Sequence, residues 1–567
     1  MLSLILLLVL QSPAERAILE VEYNRAEDVS ALLKALQSPD VRLQSRAART
    51  AGRLERPALG EAVIPLLRSS DVGVRREAIG ALAQMKAFFD FGALIGGETD
   101  GSVRAVIYEA MGRAMPGRAE SEAPLVLGLK DKDQTARRGA ARGLESRIRL
   151  NLKTARPDPA TIKALREAIR DSEDSRLRQF ALLALNAAGD QDPATFDIAL
   201  LDGDPQVRRL AVLGSKRWVE DRSPMVRLEA MRLAGTCEKA FLAIRNQEPS
   251  GHVVLAAVDR LGTQVCDPLR IAQLVDQGKD WRIRARALVS LAKVAPALAR
   301  ERLPRSIAGS PWQARAYAAT VAALLKDQAA LEVLVRDPDQ NVAAEAMTTF
   351  DDAVRALSSD HSGLLLASAA KLLGSGELKS VAPMILATIK RLTRAGRATL
   401  RDPRQKLIEV LGTSRDLVSI EGLRPLLDDR DPAVALAAAN VLSEATGKPV
   451  TARTIRYVPE PLPSGAALRS LDGATAVIRM KDLGPMTLQL LPDESPATVA
   501  TFAELAEAGA YNGLTIHRVV PNFVLQGGSP GANEYDALTP QFMRDELGFT
   551  SNERGTFGIS TRGHDTG

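Results

Sequence analysis

Residues 71–82 read DVGVRREAIGAL, and the fold of most of the chain can be worked out from this stretch. Val74, Ala78 and Leu82 recur every four residues, which places them on one face of a helix. Asp71 stands three residues before this row, where a side-chain oxygen can cap the exposed N–H groups of a first helical turn. The stretch therefore predicts a helix that begins after Asp71 and buries one aliphatic face.

The same frame recurs between about residue 25 and residue 447 at a period of roughly 30 residues, as in a repeat array. Such a period accommodates two helices of about three turns each with short connections. Proline often follows the capping residue, as at 204–205 and 431–432, where its missing N–H costs nothing. The predicted caps are Asp40, Asp71, Asp100, Asp133, Asp174, Asp204, Ser223, Ser250, Asp280, Asp339 and Asp431.

The array resembles HEAT-like repeats, including its recurrent Val-Arg pairs at 74–75, 103–104, 207–208 and 226–227. The resemblance implies an all-α superhelical solenoid over residues 25–447 that binds other macromolecules along an extended surface. For the individual arginines we expect a structural role, either in solvating the surface or in satisfying helix ends.

The composition fits a helical protein and argues against several classes of function. Only 4% of the 567 residues are aromatic, so the core must consist mainly of aliphatic residues and alanine. The net charge is +5 and no Lys/Arg-rich run is present, which argues against a nucleic-acid partner. The chain has 2 cysteines and 4 scattered histidines, so we expect no metal site and no cofactor.

Cys237 and Cys266 occupy related places, because each follows an aliphatic row that ends in glycine. Stacked repeats bring such turns side by side, so the two residues could form a disulfide in an oxidising compartment. Two unpaired buried thiols are the alternative, and the sequence alone favours them.

The N-terminus begins with an uninterrupted apolar run over residues 2–10, which is too short to span a bilayer as a helix. The run fits a signal peptide over residues 1–14, with Ser12 and Ala14 before the cleavage point and a mature start at Glu15. No Lys or Arg precedes the run, and the alternative is the first buried helix of the next domain. The first interpretation predicts an exported protein, periplasmic or extracellular, with no integral membrane span.

The periodicity stops after Gly447. Residues 448–473 contain several prolines and no helical row, which predicts a linker with an extended section. Residues 474–480 and 486–491 then alternate like strands around a Gly484-Pro485 turn signal, and residues 497–508 have a helical apolar face.

Residues 511–528 read YNGLTIHRVVPNFVLQGG, which resembles the central signature of cyclophilin-type peptidyl-prolyl cis-trans isomerases. The resemblance extends over residues 474–567 and includes GTFGIS at 555–560. It implies a cyclophilin-like antiparallel β-barrel with a flanking helix, and an isomerase that needs no cofactor. The family would continue beyond Gly567, so we expect this domain to be C-terminally incomplete and the 567-residue chain to show little activity.

The resemblance also implies roles for individual residues. The catalytic residue is Arg518, and the substrate-binding residues are Phe523 in the proline pocket, Gln526 toward the substrate backbone, and Ile559, Ser560 and Thr561 at the rim. Ile516 and residues 559–561 depart from the family's usual Phe and Met-Ala-Asn/Arg. His517 is expected to be a packed strand residue and not a base.

The two resemblances together predict a multidomain isomerase. Its solenoid would capture client proteins, and its C-terminal domain would act on X–Pro bonds in proline-containing polypeptides. The alternative is a non-enzymatic interaction scaffold with an incomplete or degenerate peptide-binding domain.

Overall fold

The computed structural model describes residues 12–87, 89–113, 122–151, 156–171, 173–245, 248–358, 363–374, 376–453, 462–549 and 552–562. The chain divides into two compact units. The first contains residues up to 233 together with 459–504 and 543–567, and the second contains 234–458 and 505–542.

The helical part of the first unit is built from stacked helix pairs. The second helices of successive pairs contact one another in order, from α3 (Val41–Arg53) through α5 (Val72–Gln84) and α7 (Gly101–Arg113) to later repeats. The remaining helices are α1 (Pro13–Tyr23), α2 (Ser30–Leu36), α4 (Gly60–Val63), α6 (Gly92–Ile95), α8 (Ala123–Gly128), α9 (Gln134–Asn151), α10 (Pro159–Ala168), α11 (Ser175–Ala188), α12 (Pro193–Leu200), α13 (Pro205–Ser215) and α14 (Pro224–Ala234).

The helical part of the second unit follows the same scheme, with α16, α18, α20, α22, α24, α26 and α28 in successive contact. Its helices are α15 (Cys237–Arg245), α16 (Gly251–Leu261), α17 (Pro268–Gln277), α18 (Trp281–Val294), α19 (Pro296–Ile307), α20 (Trp312–Leu325), α21 (Gln328–Leu334), α22 (Gln340–Ala346), α23 (Phe350–Leu357), α24 (Gly363–Leu373), α25 (Ala382–Arg394), α26 (Arg401–Thr413), α27 (Leu417–Glu421) and α28 (Pro432–Thr446).

The C-terminal elements are strands and two further helices. The first unit contains α29 (Gly465–Ser470), α30 (Pro496–Glu507) and the antiparallel pair β1 (Thr475–Arg479) and β2 (Pro485–Gln489). The second unit contains the antiparallel pair β3 (Ile516–Val520) and β4 (Val524–Gly527). The antiparallel strands expected for a partial barrel are therefore present as two hairpins. Within the predicted linker, over residues 448–473, the short helix α29 forms where the sequence showed no helical row.

The helix starts confirm the capping prediction at the aspartates, whereas the Ser250 side chain makes no cap hydrogen bond at the start of α16. The Asp71 carboxylate accepts the Val74 N–H at 2.9 Å, and Val74, Ala78 and Leu82 are all 0% exposed. Loss of such a cap typically costs about 1 kcal/mol. The side chains that also cap helices are those of Asp40, Asp100, Asp133, Asp174, Asp204, Asp280, Asp339 and Asp431.

Three arginines of the Val-Arg pairs, Arg75, Arg104 and Arg208, link neighbouring repeats. Arg104 donates to both carboxylate oxygens of Asp131 at 2.7 and 2.8 Å, and to the carbonyls of Glu98 and Thr99. Asp131 in turn accepts the N–H of Asp133, the first residue before α9. We call each such Arg–carboxylate pair a rung; the others are Arg75–Glu98, Arg178–Asp202, Arg208–Asp221, Arg315–Asp337 and Arg404–Asp429. The structural role expected for these arginines is confirmed.

Cys237 and Cys266 form a disulfide. The favoured interpretation of two unpaired thiols is therefore wrong. Cys237 begins α15 and Cys266 lies just before α17, and stacking of these repeats brings the two Cα atoms to 5.6 Å, within the range that a disulfide can bridge.

The predicted signal peptide over residues 1–14 is also wrong, because its last residues belong to the fold. The Ser12 hydroxyl accepts the Glu15 N–H at 3.2 Å, and the Glu15 carboxylate accepts the Ser12 N–H at 2.8 Å. These two bonds form a capping box at the start of α1. Pro13 and Ala14 form the first turn of α1, whose Ile18 is fully buried. Residues 1–11 lie outside the described residues. None of the helices that the structure describes has both the length and the apolarity needed to cross a bilayer.

Candidate functional site

The hairpin β3–β4 carries the central residues of the predicted site. Arg518 lies opposite Gln526 and Val520 lies opposite Val524, with a register irregularity between positions 516 and 518. Residues 520–523 form the turn between the two strands, closed by a hydrogen bond from the Phe523 N–H to the Val520 carbonyl at 3.0 Å. Pro521 is the second residue of this turn and Asn522 is the third. Asn522 has a φ of 64°, as the third position of a type II turn requires, and asparagine tolerates that conformation.

Arg518 and Gln526 are brought together across the hairpin. An Arg518 Nη1–H donates to Gln526 Oε1 at 2.6 Å; Arg518 is exposed and Gln526 is half-buried. A guanidinium has five N–H donors in a fixed plane, so one bond to Gln526 can orient the group and leave donors for a substrate. The pair therefore presents an oriented, permanent positive charge to solvent.

Phe523 follows the turn and is 78% exposed. An aromatic ring this open to water is poorly used in folding, but it suits contact with an apolar partner such as a pyrrolidine ring. Its neighbours Val519 and Leu525 are 45% and 62% exposed. The hairpin thus combines one oriented cation with an open apolar surface.

Ile559, Ser560 and Thr561 belong to the first unit, where they lie in a stretch that is neither helix nor strand. Ile559 is half-buried, and the other two residues are exposed. Upstream in the same stretch, Phe557 packs edge-to-face against Phe502 of α30 with ring centroids 5.2 Å apart.

Comparisons with known proteins agree with both resemblances. Residues 475–567 match the family model of cyclophilin type peptidyl-prolyl cis-trans isomerases, and residues 29–88 and 91–186 match that of HEAT repeats. The chain carries HEAT repeats and a C-terminal cyclophilin-type segment.

Curated relatives named as peptidyl-prolyl isomerases match short stretches of the chain. A peptidyl-prolyl cis-trans isomerase-like 2 of Gibberella zeae is 34% identical over 98 residues, which cover 16% of this chain and 17% of that protein. Peptidyl-prolyl cis-trans isomerase B of Bacillus subtilis is 46% identical over 56 residues, 10% of this chain and 39% of that protein. The chain therefore spans well under half the length of these relatives.

Among solved structures, the crystal structure of Kap121p aligns with 75% of this chain and 53% of its own length. The identity is 13% and the TM-score 0.30, a likeness too weak to support a conclusion.

His517 precedes Arg518 in the cyclophilin-type segment and is half-buried. Burial lowers the pKa of its imidazole, with Glu534 raising it and Arg518 lowering it further. Neither ring nitrogen has a hydrogen-bond partner within the described ranges. These facts fit a neutral packed histidine, as the sequence predicted.

Glu546 is a residue of the segment that sequence reasoning missed. Its two carboxylate oxygens accept the N–H groups of Ala497 and Thr498 at 3.1 and 2.8 Å, which caps α30 from a distant part of the chain. Burial raises the pKa of this carboxyl. A cap separated from its helix by roughly 50 residues has no local sequence signature, since capping motifs are recognised within a few residues.

Proposed function

We propose that the cyclophilin-type segment catalyses cis–trans isomerisation of X–Pro bonds in polypeptide substrates, with Arg518 as its catalytic residue. The observation that carries this proposal is the exposed Arg518 guanidinium, held by Gln526 on the same hairpin as the open ring of Phe523. The family match over residues 475–567 supports it.

The reaction needs no nucleophile or general base. The X–Pro bond has partial double-bond character, with a barrier to rotation of about 18–20 kcal/mol. A guanidinium that hydrogen-bonds the prolyl nitrogen withdraws its lone pair from amide resonance, which favours the twisted transition state over the planar ground state. Arg518 remains charged at all physiological pH values, so it acts without a proton transfer.

The other predicted site residues would bind and orient the substrate. Phe523 would cover the pyrrolidine ring, and Gln526 would both orient Arg518 and hydrogen-bond the substrate backbone. Residues 559–561 would form the rim against which the peptide pairs. The HEAT repeats would hold client proteins, as repeat arrays do along their stacked surfaces.

An oxidising location outside the cytoplasm is part of the same proposal. Its support is the Cys237–Cys266 disulfide, because such bonds form and persist in exported proteins and are rare in the cytosol.

A non-enzymatic peptide-binding scaffold is the second candidate. The observation that favours it is the stretch at 559–561, which forms no strand in the described part of the chain. Such a protein would bind proline-containing peptides without accelerating their isomerisation.

An exchange assay on the full-length gene product separates these candidates. The rate of cis–trans exchange in an Ala-Xaa-Pro-Phe peptide is measured with the wild type, with Arg518→Lys and with the control Arg479→Lys at the exposed end of β1. Catalysis that Arg518→Lys largely removes and Arg479→Lys preserves supports the isomerase, because an ammonium on a flexible stem does not reproduce the planar fork. Peptide binding without catalysis in the wild type supports the scaffold.

A further inference from the structure

Three arginines on one face of α3 reach the chain that leads into α30, within the first unit. Arg46, Arg49 and Arg53 are spaced at helical intervals. Arg46 Nη1 and Arg49 Nη1 both donate to the Asp493 carbonyl, at 2.5 and 3.0 Å. Arg53 Nη2 donates to the next carbonyl, that of Glu494, at 2.6 Å. We call these three residues the α3 arginine row.

Arg53 is the centre of the row, and its side chain is 0% exposed. Besides Glu494 it donates to the Leu547 carbonyl at 2.8 Å and to the Glu22 carboxylate at 2.6 Å. Burial by itself would raise the pKa of Glu22, but Arg53, Arg46 and the hydroxyl of Thr50 together hold that pKa below its ordinary value. The buried guanidinium is thus neutralised by a repeat residue, and its remaining donors go to the backbone of the cyclophilin-type segment.

A second loop of the segment contacts the same repeats. Phe549 packs so closely over Gly80 of α5 that a Cβ there would lie 2.8 Å from its ring. Arg76 stands 5.2 Å from the centroid of the same ring. Leu19 of α1 adds an apolar contact, since it clusters with Leu468 and Ala500.

We infer that the first repeats are an intramolecular docking site for the cyclophilin-type segment, in which the α3 arginine row binds the main chain of residues 493–494 and α5 receives Phe549. The docking holds the N-terminal end of α30 through two segments, because residues 493–494 lead into that helix and Glu546, which caps its first turn, lies next to Leu547. The repeats and α30 therefore behave as one folded body, and not as two domains on a flexible tether.

Any role of this docking in catalysis rests on the proposed isomerase. The docking itself does not depend on catalysis. The hydrogen bonds that form this docking also differ from surface ion pairs in how they respond to salt. The bonds from Arg53 to the neutral carbonyls of Glu494 and Leu547 come from a fully buried side chain and are screened little by salt, whereas exposed charge pairs lose their interaction within a few ångström at about 1 M salt.

Native-state hydrogen exchange on the full chain tests the inference. Arg53→Lys keeps the charge toward Glu22 but cannot span three partners, so the amides of α30 should exchange about tenfold faster while those of α9 and α11 stay unchanged. Arg46→Ala, a partly exposed residue at the end of the row, should give a smaller increase confined to α30. The control Arg42→Ala changes an exposed residue of the same helix and should have no effect.

The wild-type protection of α30 should persist in 1 M NaCl. Unchanged amide exchange rates in α30 of both Arg53→Lys and Arg46→Ala would overturn the inference. Exchange rates in α9 and α11 that rise as much as those of α30 in both variants would also overturn it. Loss of α30 protection at 1 M NaCl would also contradict it. Since no activity is read, failure of the isomerase proposal would leave this test unaffected.

Discussion

Arg104 in the repeats and Arg518 on the hairpin β3–β4 are the same residue type in opposite surroundings. Arg104 is 6% exposed, and its guanidinium bonds two carboxylate oxygens and two carbonyls. Arg518 is exposed and bonds one side-chain amide oxygen. The two residues differ in burial and in how many of their N–H donors are already hydrogen-bonded. These two properties, and not the residue type, distinguish an arginine that stabilises the fold from one that can bind a substrate.

The largest loss of stability is expected when a rung is broken from its cationic side. Arg104→Met leaves the Asp131 carboxylate buried without its partner, which should destabilise the first unit by about 3–5 kcal/mol. Denaturant unfolding of the variant measures the loss. Adding Asp131→Asn in the double variant should recover part of it, and a double variant as unstable as the sum of the singles would show that the pair is not coupled.

Removal of the disulfide should give the second-largest loss of stability. This bond joins two repeats that cannot form a rung. Val254 and Gly278 stand at the positions that hold Arg and the acidic residue in the rung-forming repeats, and Cys237–Cys266 links these same two repeats. Cys237→Ser with Cys266→Ser should cost about 2–4 kcal/mol, with faster hydrogen exchange confined to α15–α18. Uniformly faster exchange through α28 would contradict a local role for the bond.

A smaller effect is expected when the rung is neutralised from its acidic side. Asp131→Asn keeps an acceptor oxygen for Arg104 and should cost about 1–3 kcal/mol near pH 7. The hydrogen bond from Arg104 holds the pKa of Asp131 below its ordinary value. A depressed pKa stabilises the fold above the unfolded-state pKa, and this contribution is lost as the pH falls through the folded-state pKa. Unfolding measured from pH 7 down to pH 3 should therefore show a smaller acid loss in Asp131→Asn than in the wild type; equal acid loss would argue against the rung.

The repeats could be predicted because their information is local. Asp71 and the row that follows it lie within 12 residues, so the cap and the buried face are visible in the sequence, and so is the hairpin around Gly484 and Pro485. The alignment of Arg518 with Gln526 also follows from the short distance between them along the chain.

What could not be predicted depends on contacts between distant residues. The rungs join residues 13 or more positions apart, and Arg53 meets Glu494 across 441 residues. Whether the two cysteines pair could not be decided from the sequence. The repeat pattern shows which turns stack, but it does not show how closely the two Cα atoms approach. The signal-peptide prediction failed because the composition of residues 2–14 is the same whether Ser12 precedes a cleavage point or caps a helix.

The most direct test of the central claim is Arg518→Ala, studied for stability and for catalysis in the same preparation. Because Arg518 is exposed and makes one side-chain bond, its removal should change the free energy of unfolding by less than about 0.5 kcal/mol. In the full-length gene product, the cis–trans exchange rate of an X–Pro peptide should nevertheless fall to near the uncatalysed value, since the arginine acts on the transition state. An unchanged exchange rate in Arg518→Ala would contradict the assignment of Arg518 as the catalytic residue.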